Sequence, residues 1–89
     1  MRRFNLKLDN GVKLTIKPPT LRMYYKGLLN VKTDPQLFAA IADICNANDE
    51  NIPVTEEYVV DNFNVDDFSR FMKDFPAWIS RERDNDPNS

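Results

Sequence analysis

The stretch from Phe4 to Lys17 leaves the chain little freedom of conformation. Phe4-Asn5-Leu6-Lys7-Leu8 and Val12-Lys13-Leu14-Thr15-Ile16-Lys17 alternate apolar with polar residues around Asp9-Asn10-Gly11, the pattern of a β-hairpin. Burial sets its register. A two-residue Asn10-Gly11 loop would place Leu8 against Lys13 and mix apolar with charged side chains on one face. A three-residue loop, Asp9-Asn10-Gly11, pairs Leu8 with Val12, Leu6 with Leu14 and Phe4 with Ile16, with Gly11 in the left-handed conformation. All six apolar side chains then share one face.

The same register sets Lys7 beside Lys13 and Arg3 beside Lys17 on the other face. Like charges placed this way repel mildly unless solvent, nearby acids or a partner screens them. Arg3, Lys7, Lys13 and Lys17 are therefore candidate partner contacts. The alternative is a solvated outer face whose lysines discourage edge-to-edge pairing.

Beyond the hairpin the period changes. Pro18-Pro19 ends the second strand, and Thr20 caps a predicted helix over about 20–31 with Leu21, Tyr24, Tyr25, Leu28 and Leu29 on one stripe, weakened by Gly27. Thr33 or Asp34 before Pro35 opens a second helix over about 34–47, with Leu37, Phe38, Ile41, Ile44 and Cys45 at helical spacing. Asn46 to Asn51 reads as a polar loop and Ile52-Pro53-Val54 as an extended connector. Thr55 caps a third helix over about 55–63, with Tyr58, Val59 and Phe63 inward. Asn64 caps a fourth over about 65–80, with Asp66 and Asp67 in its first turn and an apolar stripe of Phe68, Phe71, Met72, Phe75 and Ile79. Pro76 should kink or split that helix near Met72 or Lys73. A disordered tail is expected at 84–89.

Eighty-nine residues enclose one core, so residues 1–83 are expected to form a single α+β domain. Its N-terminal hairpin should pack against a small bundle of three to four helices, covered by the Leu37–Cys45 and Phe68–Ile79 stripes. No apolar run approaches the roughly 20 residues of a membrane-spanning helix, and Met-Arg-Arg-Phe-Asn lacks a signal peptide's apolar segment. A cytoplasmic protein is the expectation.

Little in the chain promises catalysis. Histidine is absent, which removes the commonest general base and zinc ligand. Two glycines cannot build a phosphate-binding loop. Cys45 lies in an apolar pattern, where a thiol fills core space. The adjacent pairs Glu56-Glu57 and Asp66-Asp67 point in different directions on a helix, so helix-start electrostatics explains them better than paired-carboxylate chemistry. Asp43, Asp49, Glu50 and Asp61 lack the spacing and central glycine of a calcium loop. No enzyme activity, cofactor or metal is expected.

Charge is divided along the chain. Residues 1–32 carry eight basic residues against Asp9 alone, whereas residues 33–89 carry four against thirteen acidic ones. On separate surfaces these regions would draw copies together head to tail; on one surface they would neutralise each other within a single molecule. Phe68, Phe71, Phe75 and Trp78 are either core or an aromatic groove. Trp78, beside Pro76, is the candidate contact anchor among them.

The Phe-Asn-Leu-Lys-Leu-Asp-Asn-Gly hairpin, Pro-Pro-Thr before a helix, Val54-Thr55-Glu56-Glu57 and the Phe75-Pro76-Ala77-Trp78-Ile79 ending form a recognisable order. Over about Phe4 to Ile79 the chain resembles the tail assembly chaperones of long, non-contractile-tailed bacteriophages of Gram-positive hosts. The resemblance implies a non-catalytic protein of the host cytoplasm that coats the tape measure protein, keeps its apolar helices soluble and helps recruit tail tube proteins. It also implies helical or ring-like homo-oligomers, and often a longer frameshifted form. No functional residue carries over by position. Two rival expectations are a small nucleic-acid-binding protein using the basic hairpin face, weakened by the acidic remainder, and a monomeric adaptor or inhibitor of a host protein.

Overall fold

The computed structural model describes residues 2–84; of the predicted tail, all but Asp84 lies outside the described residues. Two antiparallel strands, β1 (Phe4–Lys7) and β2 (Lys13–Ile16), are followed by a helical turn in two windings (Arg22–Gly27 and Leu28–Asn30). Three helices complete the fold: α1 (Asp34–Asn46), α2 (Glu56–Asn62) and α3 (Val65–Asp84). The architecture is α+β, a hairpin with its apolar face on a helical layer.

The hairpin takes the three-residue-loop register. Phe4 faces Ile16, Leu6 faces Leu14 and Lys7 faces Lys13. The Leu8 N–H donates to the Val12 carbonyl at 2.8 Å, and Gly11 closes the turn at φ +96°, a conformation that costs glycine nothing. Phe4, Leu6, Leu8, Leu14 and Ile16 are buried. Residues 47–50 run along the outer edge of β2: the Lys17 N–H donates to the Ala47 carbonyl and the Asp49 N–H to the Thr15 carbonyl. Thr15 also donates from its N–H and its hydroxyl to the two carboxylate oxygens of Glu50, each at 2.6 Å. A strand edge that would otherwise invite pairing is thereby closed. The loop itself is organised by the buried Asn48. Its amide donates to the Cys45 and Ile52 carbonyls and accepts from the Ile52 N–H, satisfying a polar group that could not otherwise be buried.

Thr33 and Thr55 cap α1 and α2, accepting from the Gln36 and Tyr58 N–H groups. Ile41, Ala42, Ile44 and Cys45 of α1 and Phe71, Phe75, Trp78 and Ile79 of α3 close over the hairpin. Phe4 is the aromatic centre, with ring centroids 5.1 Å from Phe75 and 5.5 Å from Trp78.

Two expectations are corrected. The first helix, expected as an α-helix with five apolar residues on one stripe, is a π-helical turn followed by a 3₁₀ turn. Only Tyr24 and Leu28 of that stripe are buried. This short turn packs on α1, with Tyr24 reaching Phe75, so it can bury one row of side chains; the neighbouring row, Leu21, Tyr25 and Leu29, stays outside. The second correction concerns Pro76, which does not split the last helix: α3 is one element of 20 residues. An interior proline costs about 3 kcal/mol. Burying Trp78 and Ile79 in the core shared with Phe4, at about 1.5–3 kcal/mol each, outweighs that cost.

Candidate interaction surfaces

The residues singled out in the sequence part company in the fold. Trp78, the candidate anchor, is 7% exposed and packs against Phe4 and Phe75, which removes it from the outer surface. Arg3, Lys7, Lys13 and Lys17 do stand together on the outer side of the hairpin, but acids from the 47–50 strap come with them. The Arg3 Nε lies 3.2 Å from the Asp49 carboxylate. Hydrogen bonds from Thr15 hold the Glu50 carboxyl below its usual range, and the nearby Lys13 adds a smaller pull in the same direction.

A second polar node joins the hairpin turn to the start of α3. Asn64 and Asp67 cap that helix reciprocally: the Asp67 N–H donates to Asn64 Oδ1 at 2.7 Å, and the Asn64 N–H to Asp67 Oδ2 at 3.0 Å. Asp67, only 1% exposed, also accepts from the Asp9 N–H at 3.0 Å and pairs with Arg70. Arg70 reaches on to the Lys7 carbonyl and the Asp9 carboxylate. The Asn64 amide, and then Arg70, keep the Asp9 carboxyl below its ordinary value. Every buried donor and acceptor here is used within the fold, so the node is a clasp holding hairpin to helix.

Cys45 is fully buried, and burial pushes its thiol up to about 12, far from the thiolate needed for nucleophilic attack. Among the described residues no cluster of three or more acidic or thiol groups is placed to hold a metal ion, and no helix is long and apolar enough to cross a membrane.

The surface that sequence reading missed is a groove of roughly 270 Å³ between α1, α2 and the start of α3, lined by Asp34, Phe38, Val59, Val60, Phe63, Val65 and Phe68. Phe38 of α1 and Phe68 of α3 meet edge-on in its lining, at 6.0 Å between centroids, and α2 contributes Val59 and Val60. Val60 and Val65 stand on its rim. Exposed large apolar side chains among the described residues occur there and in one other place, the outer row Leu21, Tyr25 and Leu29; all five are between 42% and 79% exposed. Leu21 and Tyr25 border a hollow of about 350 Å³ with Pro19, Ile79 and Arg83, whose guanidinium donates to the Tyr25 hydroxyl at 2.9 Å. The two apolar surfaces differ in charge. The elements that line the groove carry Asp34 in α1, Glu56, Glu57 and Asp61 in α2 and Asp66 and Asp67 at the start of α3, while residues 20–32, which contain the outer turn, carry three bases and no acid. The sequence marked Leu21, Tyr25 and Leu29 as part of an apolar stripe expected to face inward, and for the groove it offered only the charge asymmetry.

No family model, curated protein or solved structure matches the chain.

Proposed function

We propose that the chain is a non-catalytic assembly factor, a bacteriophage tail assembly chaperone. In this reading it binds the tape measure protein and helps recruit tail tube subunits in the host cytoplasm, working as an oligomer without a cofactor. The observation that carries the reading is the gathering of exposed apolar side chains on two separate surfaces of a small domain whose own core is complete. Scattered surface apolar residues need no explanation, but grouped ones mark contact sites. Two such surfaces suit a protein that must touch a neighbour while it covers a long partner. The buried, fully protonated Cys45 and the carboxylates committed to Thr15, Asn64 and Arg70 fit a binding role better than a chemical one.

The test is co-expression with a tape measure protein from the same genome, followed by size-exclusion chromatography with light scattering. A soluble complex holding many copies of this chain per tape measure protein is expected. A tape measure protein that stays insoluble beside a folded, soluble copy of this chain would sink the proposal.

A further inference from the structure

A two-stranded sheet has two outer edges, and this fold closes only one of them. The Leu8 N–H bonds the Val12 carbonyl, so Leu6–Leu14 and Phe4–Ile16 are the backbone-bonded pairs, and the residues between them turn their N–H and C=O groups outward. On the β2 side the 47–50 strap takes up the outward groups of Thr15 and Lys17. On the β1 side the outward residues are Asn5 and Lys7. The Lys7 carbonyl accepts from Arg70 at 3.1 Å, but the Asn5 N–H, the Asn5 carbonyl and the Lys7 N–H meet no partner among the described residues. Of the described elements only β2 and α3 pack on β1, and α3 does so on its apolar face through Phe4. We infer that the free edge of β1 takes a third strand from a partner protein, an extended segment that alternates acidic with apolar residues.

Period and charge select that chemistry. Along β1 buried Phe4 and Leu6 alternate with exposed Asn5 and Lys7, so an added strand would lay every second side chain beside Arg3, Asn5 and Lys7 and the others on the apolar side. The outer row is basic, and it continues across the sheet, where Lys13 stands opposite Lys7. Asp49 pairs with Arg3 and Glu50 is held by Thr15, which leaves the Lys7 ammonium without an ion pair among the described residues. Acidic side chains on the incoming strand would relieve this like-charge contact. Basic side chains on an edge discourage pairing with a like strand and admit one of opposite charge.

A second copy does not fit this edge. Antiparallel pairing of β1 with another β1 about Asn5 would set Arg3 opposite Lys7 at both ends, and like charges directly opposite are destabilising. No residue of β1 lines either apolar hollow, so the inference does not rest on the proposed role.

The experiment titrates the full, isotope-labelled chain at low salt with a short peptide that alternates Glu with Val. In the complex the Asn5 and Lys7 amides should shift and exchange with solvent at least tenfold more slowly, while exchange at Thr15 and Lys17, already bonded to the strap, should not change. Affinity should fall with added salt. Two altered peptides separate a strand from a charge: one with the same residues in two blocks, and one alternating but methylated at its backbone nitrogens. Both should bind at least tenfold more weakly. In the protein, Asn5→Pro removes an outward N–H without touching a hairpin bond, and Lys7→Glu reverses an exposed charge. Each should weaken binding at least tenfold with unchanged circular dichroism; should the proline unfold the hairpin, Lys7→Glu carries the test alone. Unmoved Asn5 and Lys7 amides, a block or methylated peptide that binds as well as the alternating one, binding that survives Lys7→Glu, or a tighter complex with a thymidine oligonucleotide at the same edge would overturn the proposal.

Discussion

Replacing Asp67 by alanine should cost about 3 kcal/mol of folding stability, and the figure can be built from its partners. The carboxylate accepts from the backbone N–H groups of Asp9 and Asn64, each at 3.0 Å, and from the Arg70 guanidinium. Losing it removes half of a reciprocal helix cap, worth about 1 kcal/mol. It also strands the Asp9 N–H in a partly buried site, at about 1–3 kcal/mol, and takes from Arg70 its buried partner. Arg70 keeps Asp9, and water can enter the vacated space, so the lower half of the summed range is the reasonable figure. Against the roughly 5–13 kcal/mol expected for a domain this small, the loss is large. With a urea slope of about 1–1.5 kcal/mol per molar, the unfolding midpoint should fall by about 2–3 M with the slope unchanged. Asp67→Asn, which keeps one acceptor oxygen, should lose less. Asp66→Ala removes a charge from the same turn that makes no side-chain hydrogen bond or ion pair among the described residues, and should cost under about 1 kcal/mol. If Asp67→Ala proves no worse than Asp66→Ala, the clasp between hairpin and helix is not what stabilises this end of the molecule.

Trp78→Ala should destabilise by about 3–5 kcal/mol in the same assay, as expected for an aromatic side chain in contact with Phe4 and Phe75; a loss under about 0.5 kcal/mol would mean that Trp78 sits on the surface. Glu50 and Asp9 are held below their ordinary values of 4.5 and 3.8, so the stability each contributes is fully present above those values and is lost as pH falls through the lower folded values. Glu50→Gln should therefore flatten the acid limb of a stability–pH curve below about pH 4.5 and leave the neutral region's slope unchanged; an unaltered acid limb would count against the Thr15 contact. Cys45 should resist a disulfide reagent at pH 8 in the folded protein and react at once in denaturant, given a thiol pushed up to about 12 by burial; fast labelling of the native state would refute its place in the core.

How much of this was legible in the sequence depended on the distance over which each interaction acts. The hairpin register, Gly11 and the caps at Thr33, Thr55 and Asn64 join residues three to twelve apart, and pattern located them, leaving only the choice between Thr33 and Asp34 at the start of α1 to the structure. The opposing apolar stripes of α1 and α3 were equally visible, because helical period marks an inward face before its partner is known. Asp67 shows the limit. Its place in the first turn of α3 was readable as helix-start electrostatics, yet its burial arises from an Asp9 N–H 58 residues away. The strap over β2 rests likewise on Thr15–Glu50 contacts 35 residues apart, in a segment that reads only as a polar loop.

What the sequence by itself determined was the hairpin, the order and caps of the helices, one apolar face for each long element, and a chain divided between basic and acidic halves. Tertiary structure alone decided that α3 passes through Pro76 unbroken, that Trp78 turns inward and that Leu21, Tyr25 and Leu29 turn outward. It also opened the groove beside Val60 and Val65. Those outcomes depend on which surfaces compete for burial in a core too small to hold them all, and that competition is settled only when elements distant in the chain meet.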